Sequence, residues 1–284
     1  ASIGGALAGV AAFGIAARSD DVPSPYALAA ACAAASAVAW ALHILLKRKD
    51  DTRGPYADVT GAIGTTPMVQ LNAARLGYPN CAAEIYAKLE FQNPGGSVKD
   101  RVALKMIDDA ERAGLIRPGH SVLVEATSGN TGIAVAMVGA ARGYKVVVAM
   151  PRLQAMFSRY MLIRSFGGEV LLSDPESQSQ GFLDLAEQYA RENGEAFLLR
   201  QFTNPSNPAA HYETTGPELW AQMGGDVDAF FAGAGTGGTA LGAGRFLKEA
   251  SRGACRVVVV EPAESRVLQG AVHRVHSIVG IGTG

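Results

Sequence analysis

From Val59 onward the chain alternates short runs rich in Val, Leu and Ala with helical stretches, and that alternation limits its fold more than any other feature. Met68 to Leu71 and Glu84 to Leu89 read as strands, as do Ser121 to Glu125, Lys145 to Met150, Glu169 to Leu172, Phe197 to Phe202, Ala229 to Ala232 and Arg256 to Val260. Helical patterns fall between them, at Val102 to Ala113, Ile133 to Ala141, Ser158 to Phe166, Leu183 to Asn193, Pro217 to Met223 and Ala240 to Ala250. Strands this apolar are covered on both faces, which a mostly parallel sheet wrapped by helices provides. The expected class is therefore α/β, with no fixed-period repeat.

Three loops in this frame carry unusual chemistry. Asn93-Pro94-Gly95-Gly96-Ser97-Val98-Lys99-Asp100-Arg101 joins a strand to a helix through a turn that needs little side-chain bulk. It sets Lys99 at a helix start, where free N–H groups and the dipole's positive end disfavour an ammonium and favour a neutral amine or Schiff base. In Thr127 to Gly132, side chains of Thr127, Ser128, Asn130 and Thr131 crowd another strand-to-helix junction. One such residue makes an N-cap, whereas four with their N–H groups can grip a carboxylate. Gly233-Ala234-Gly235-Thr236-Gly237-Gly238-Thr239 lets the backbone approach a phosphate closely. It also fits a dinucleotide fingerprint with Glu261 as ribose ligand. A nicotinamide enzyme, however, has no need of Lys99 or of the acid-gripping loop. A phosphate-bearing aldehyde cofactor accounts for all three loops at once.

These motifs, with Gln201-Phe-Thr-Asn-Pro-Ser-Asn-Pro-Ala-Ala-His-Tyr-Glu-Thr-Thr-Gly-Pro-Glu218, resemble cysteine synthase (O-acetylserine sulfhydrylase) of the fold-type II pyridoxal-phosphate enzymes, the tryptophan synthase β-like group. The resemblance runs from about Ile63 to Gly284. It implies two three-layer αβα subdomains, one over residues 54–207 bearing the lysine and substrate loops, the other over 208–284 binding phosphate. It further implies that Lys99 carries pyridoxal 5'-phosphate, that Asn130 bonds the ring hydroxyl, and that Gly235, Thr236, Gly237, Gly238 and Thr239 hold the phosphate. Thr127, Ser128, Thr131 and Gln201 would clamp the substrate carboxylate, and Gly280 would border the amino-acid site. The implied reaction is β-replacement, giving L-cysteine and acetate from O-acetyl-L-serine and sulfide in a homodimer. Cystathionine synthesis, cyanoalanine formation and a non-catalytic, membrane-tethered cofactor binder are the alternatives.

The chain departs from the family in two places. Arg152 to Tyr160 lacks the glutamate of the family's Met-Ser-x-Glu-Arg-Arg pattern, so closure over substrate or substrate choice differs. The family also continues past the position of Gly284 with closing helices and a serine for the pyridine nitrogen, so the chain reads as C-terminally incomplete.

The first 53 residues have another character. Ala27 to Leu46 carries no formal charge and ends in Lys47-Arg48-Lys49. As a helix it is about 30 Å long, enough to span a bilayer core, with the basic flank keeping the bulk of the chain cytosolic. The expectation is a leader, anchor and linker on the mitochondrial outer membrane, with a cytoplasmic chain as the alternative. The formal net charge of −1 gives no reason to expect nucleic acid. Cys32, Cys81 and Cys255 form neither a zinc set nor a disulfide framework. His211 and Tyr212 are expected to pack at a helix start, His43 to sit near the membrane interface, and His273 and His276 not to bind metal.

Overall fold

The computed structural model describes residues 55–274, 276–278 and 280–282. The anchor segment, Cys32 and His43 lie outside the described residues, among which no helix is long and apolar enough to cross a membrane. An antiparallel pair comes first, β1 (Met68–Leu71) with β2 (Ile85–Lys88), followed by helix α1 (Lys99–Arg112). Next come β3 (Val122–Ala126), α2 (Asn130–Arg142), β4 (Lys145–Pro151), α3 (Phe157–Ser165), β5 (Glu169–Ser173), α4 (Gln178–Glu192) and β6 (Ala196–Leu198). These strands form a parallel sheet in the order β5-β4-β3-β6.

Both faces of this sheet are covered, as its apolar strands require. On one face Leu123, Val146 and Val148 pack against Val102, Met106 and Ile107 of α1, Ile133 and Val135 of α2, and Ile163 of α3. On the other, Val124 and Val147 meet Phe182 and Ala186 of α4. Each fully buried side chain of this size contributes about 1.5–3 kcal/mol. Helix α2 lies so close to β4 that a Cβ on Gly139 would collide with Val146. It stops at Gly143, whose left-handed φ of 76° lets its N–H reach the Ala140 and Gly139 carbonyls.

Beyond β6 the chain runs through α5 (Ser206–Ala210), a π-helical turn (His211–Thr215) and α6 (Gly216–Gln222). It then forms β7 (Ala229–Gly233), α7 (Gly238–Ala250) and β8 (Arg256–Val260), with β7 and β8 parallel. Ala243 and Leu247 of α7 pack with Leu219 and Cys255. The boundary expected after residue 207 lies inside α5.

Two local expectations are corrected. The strand expected over Phe197 to Phe202 ends at Leu198, because the chain turns at Arg200 (φ 55°) and Asn204 Nδ2 donates to the Leu199 carbonyl. Helices α1, α2 and α7 start two or three residues earlier than their apolar periodicity suggests, at Lys99, Asn130 and Gly238. The functional loops themselves thus supply the first helical turns, and their N–H groups remain free of intrahelical partners.

Candidate active site

Strand order places the site. The chain winds from β3 through β4 to β5 and then returns to add β6 on the other side of β3. Crevices for ligands open at such a reversal, beyond the carboxyl ends of the strands. Thr127 to Gly129 follow β3 there, and Leu199 to Gln201 follow β6. Across the crevice Thr131 Oγ1 donates to Gln201 Oε1 at 2.7 Å, with both residues buried. Gln201 Nε2 also reaches the Ala126 carbonyl, at 3.5 Å. Thr127 is buried, and its Oγ1 accepts from Gly129 N. Ser128 is half-buried and Asn130 exposed at the helix start. Among the described residues no protein acceptor takes the N–H of Ser128, Asn130 or Thr131, so this loop can serve a carboxylate.

Lys99 opens α1. Gly96 has φ 81°, and a Cβ on Gly95 would strike the Asp100 carboxylate, whose Oδ2 accepts from Gly95 N. The glycines are thus required by conformation at one position and by space at the other. Burial holds the Lys99 ammonium below the ordinary lysine range, and the Glu125 carboxyl only partly opposes this. Glu125 is buried in turn, with Oε2 unpartnered among the described residues, and burial pushes its carboxyl up to about 8. Burial thus makes the Lys99 amine easier to deprotonate than a free lysine, beside an acid that stays protonated below about pH 8.

The loop Gly233 to Gly237 meets the N-terminus of α7. Gly237 takes φ 78°, and no described acceptor uses the N–H of Gly235, Thr236, Gly237, Gly238 or Thr239. A Cβ on Gly235 would overlap the Gly280 carbonyl oxygen, and one on Gly238 would overlap Asn207. Gly280, exposed with φ 93°, is thus set against this loop.

His211 reaches from the π-helical turn to the glycine loop that opens α7. Its ring is fully buried, sharing hydrogen bonds with Thr215 Oγ1 at 2.9 Å and Thr239 Oγ1 at 3.2 Å. Burial, with the positive fields of Lys99 and Arg101, pushes its pKa down to about 3, so it remains neutral. The packing role expected of it is therefore joined by a direct contact with a proposed phosphate ligand.

Other side chains here were not singled out from sequence. Arg101 Nη1 and Nη2 donate to Glu218 at 2.7 and 2.8 Å, and its Nε and Nη2 donate to Glu90 at 2.8 Å. Arg159 lies over the acid-gripping loop, its Nε 3.8 Å from where a Cβ on Gly129 would sit. Asn207 Nδ2 donates to the Gln201 carbonyl at 2.9 Å and to Thr236 Oγ1 at 2.8 Å. All but Glu90 lie within or beside motifs visible in the sequence, yet their partners are distant along the chain. Among the described residues no cluster of His, Cys, Asp and Glu is arranged for a metal.

A buried lysine with a lowered pKa, in an α/β frame that also holds a glycine loop of free N–H groups, suits an enzyme that holds a phosphorylated aldehyde covalently. The chain belongs to the pyridoxal-phosphate dependent enzyme family, which it matches over residues 59–284. It is 47% identical over 227 residues to cysteine synthase 3 of Caenorhabditis elegans, covering 80% of this chain and 66% of that protein. Among solved structures, the cysteine synthase of Entamoeba histolytica aligns with a TM-score of 0.75 at 37% identity, over 81% of this chain and 68% of that one. An O-ureido-L-serine synthase aligns with a TM-score of 0.73 at 41% identity, over 80% and 70% respectively. The chain thus spans about two thirds of the length of these relatives.

The residues fit pyridoxal phosphate. The depressed Lys99 suits an imine-forming amine, and the free N–H groups beyond β7 suit a phosphate that a Cβ on Gly235 or Gly238 would crowd out.

Proposed function

We propose that the chain catalyses β-replacement on O-acetyl-L-serine, releasing acetate and joining sulfide to Cβ to give L-cysteine. Its main support is the desolvated Lys99 at the start of α1, electrostatically coupled to His211, which touches Thr239 of the phosphate loop. Bound in this site, the cofactor supplies an electron sink for negative charge at the substrate's α-carbon. Lys99 would hold it covalently, and the lysine amine, when free, would take the substrate's α-proton. Thr127, Ser128, Thr131 and Gln201 hold the substrate carboxylate, and Gly280 borders the amino-acid site. Asn130 would hydrogen-bond the cofactor's ring hydroxyl, while Gly235, Thr236, Gly237, Gly238 and Thr239 would hold its phosphate. The Cβ–O bond to acetate breaks, the Cβ–S bond to HS⁻ forms, and the α-proton returns to Cα, so no net proton is gained or lost.

A second reading keeps this machinery and changes the nucleophile. The altered Arg152 to Tyr160 stretch beside the acid-gripping loop supports it, as does the likeness to an O-ureido-L-serine synthase. Incubating the full chain and cofactor with O-acetylserine plus sulfide, cyanide, homocysteine or hydroxyurea separates the readings. Cysteine as the fastest-formed product is expected; a higher kcat/KM with another acceptor would replace the first assignment, and no acetate release would leave a non-catalytic binder.

The proposal extends to a homodimer anchored through Ala27 to Leu46, with its catalytic part facing the cytosol at the mitochondrial outer membrane. The charge-free segment and its basic flank support the anchor. Membrane association should resist carbonate and vanish when residues 1–50 are deleted. Full-length protein recovered entirely in the soluble fraction would refute it.

A further inference from the structure

The crevice between β3 and β6 and the loop after β7 are separate parts of the fold, and one buried side chain bridges them. Asn207 is 2% exposed and belongs to α5, which packs against both α1 and α7. Its amide nitrogen donates to the Gln201 carbonyl at 2.9 Å and to Thr236 Oγ1 at 2.8 Å. The Gln201 side chain, in turn, accepts from Thr131 Oγ1 at 2.7 Å. A continuous path therefore runs from the acid-gripping loop to the phosphate loop, with a single nitrogen at its centre.

The orientation of that amide is determined by its surroundings. A carbonyl oxygen cannot face the Gln201 carbonyl, so the nitrogen must, which turns Oδ1 toward Gly238. There Oδ1 is buried without a partner among the described residues, against a glycine whose Cβ would overlap it. Leaving a buried carbonyl unsatisfied is unfavourable. Half-buried Thr236 does not need this donor merely to be satisfied, because its hydroxyl can also bond water. What the arrangement does provide is geometry. The two hydrogens of one planar –NH₂ diverge at a set angle, so two acceptors held by them keep a set separation.

We propose that Asn207 is a positioning residue that holds the acid grip and the phosphate cradle at one spacing, so that filling the first is felt at the second. This rests on the function proposed above. Cofactor and substrate are parts of one covalent assembly during turnover, so an error in the spacing of their anchors displaces the reacting carbon from Lys99.

The test uses full-length chains loaded with pyridoxal phosphate and read by phosphorus-31 NMR. The probe is propionate, a carboxylate without an amino group, which engages the acid grip and leaves Lys99 in place. In the native chain propionate should shift the phosphate resonance. In Asn207→Ala the shift should vanish, and the Kd for pyridoxal phosphate should rise about ten-fold as two acceptors lose their donor. Thr236→Val cuts the same path while sparing the buried amide, so it keeps the test open if Asn207→Ala fails to fold; it too should abolish the shift. An unresponsive native chain, or variants that respond as native does even with weakened loading, would overturn the inference and leave the proposed function standing. A native chain that takes up no cofactor would overturn both.

Discussion

Replacing Lys99 by alanine is expected to lower turnover by at least about 10⁴-fold while leaving the folded chain no less stable. The residue is assigned both covalent carriage of the cofactor and removal of the α-proton, and no described neighbour can take over. His211 is buried and held neutral with a pKa of about 3, its ring committed to Thr215 and Thr239. Glu125 is buried, with its carboxyl favouring the protonated form. Borohydride reduction followed by peptide mass spectrometry should place the cofactor's mass on the Lys99 peptide of the native chain and nowhere in the variant. Turnover within ten-fold of native, or label on another lysine, would remove Lys99 from its assigned role.

Stability should behave differently from activity. Because burial lowers the Lys99 pKa, the unfolded cofactor-free chain binds more protons there than the folded one, and stability rises with pH toward the ordinary lysine range. Glu125 acts in the opposite sense. Its raised pKa makes a contribution fully present below its unfolded value and lost as pH rises through about 8. Removing Lys99 takes away the rising contribution together with a positive charge that lowers the Glu125 pKa. Urea denaturation of the cofactor-free variant from pH 6 to 9 should therefore show a steeper loss of stability than the native chain.

Lys99 was legible in sequence because its environment is made locally, by a glycine turn and a helix start within a few residues. The same holds for Thr127 to Thr131 and Gly235 to Thr239, whose Gly, Ser, Thr and Asn content marks strand-to-helix junctions with free N–H groups. The β-strands were legible because apolar runs covered on both faces have no other stable home. Features that depend on distant partners were not. The strand ending at Leu198 is followed by Leu199 and Phe202, which suggest an extension, but the chain turns at Arg200, whose carbonyl accepts from Thr203 and Asn204 N–H. The π-helical turn at His211 has no distinctive composition; the ring's contact with Thr239, 28 residues further on, gives it meaning. Asn207 resembles any asparagine of a Pro-rich turn until Gln201 and Thr236 are brought beside it. Arg101 is the furthest case, since its two Glu218 bonds cross 117 positions of sequence.

That arginine carries the second large expectation: Arg101→Ala should destabilise the fold by about 3–5 kcal/mol, lowering Tm by roughly 10 °C. Its guanidinium is 2% exposed and pairs with both Glu90 and Glu218, which are 18% and 19% exposed. Without it Glu218 retains Lys88 at 2.7 Å, but Glu90 is left with the Thr66 hydroxyl and the Asn93 amide. The cost comes from stranding a desolvated carboxylate, not from losing two ordinary ion pairs. Arg101→Lys should recover less than half of it, because one ammonium cannot reproduce two bidentate contacts. The position matters for function as well, since Arg101 lies in the first turn of α1 beside Lys99 and ties that turn to α6 through Glu218. Acid stability gives an independent check. Burial pushes Glu218 up, but hydrogen bonds from Arg101 and Lys88 more than reverse this and bring it down to about 2. A carboxyl with a depressed folded pKa stabilises above its unfolded value of 4.5 and loses that contribution as pH falls through about 2. Glu90 is lowered as well, with Arg101 the leading cause against burial, and therefore weakens with acid in the same direction. Removing Arg101 moves both folded pKa values up, so the variant should lose less stability on acidification from pH 5 to 3 than the native chain, although it is weaker throughout. Parallel stability–pH curves, or an Arg101→Ala chain within about 1 kcal/mol of native at neutral pH, would mean that desolvation already cancels the network's gain.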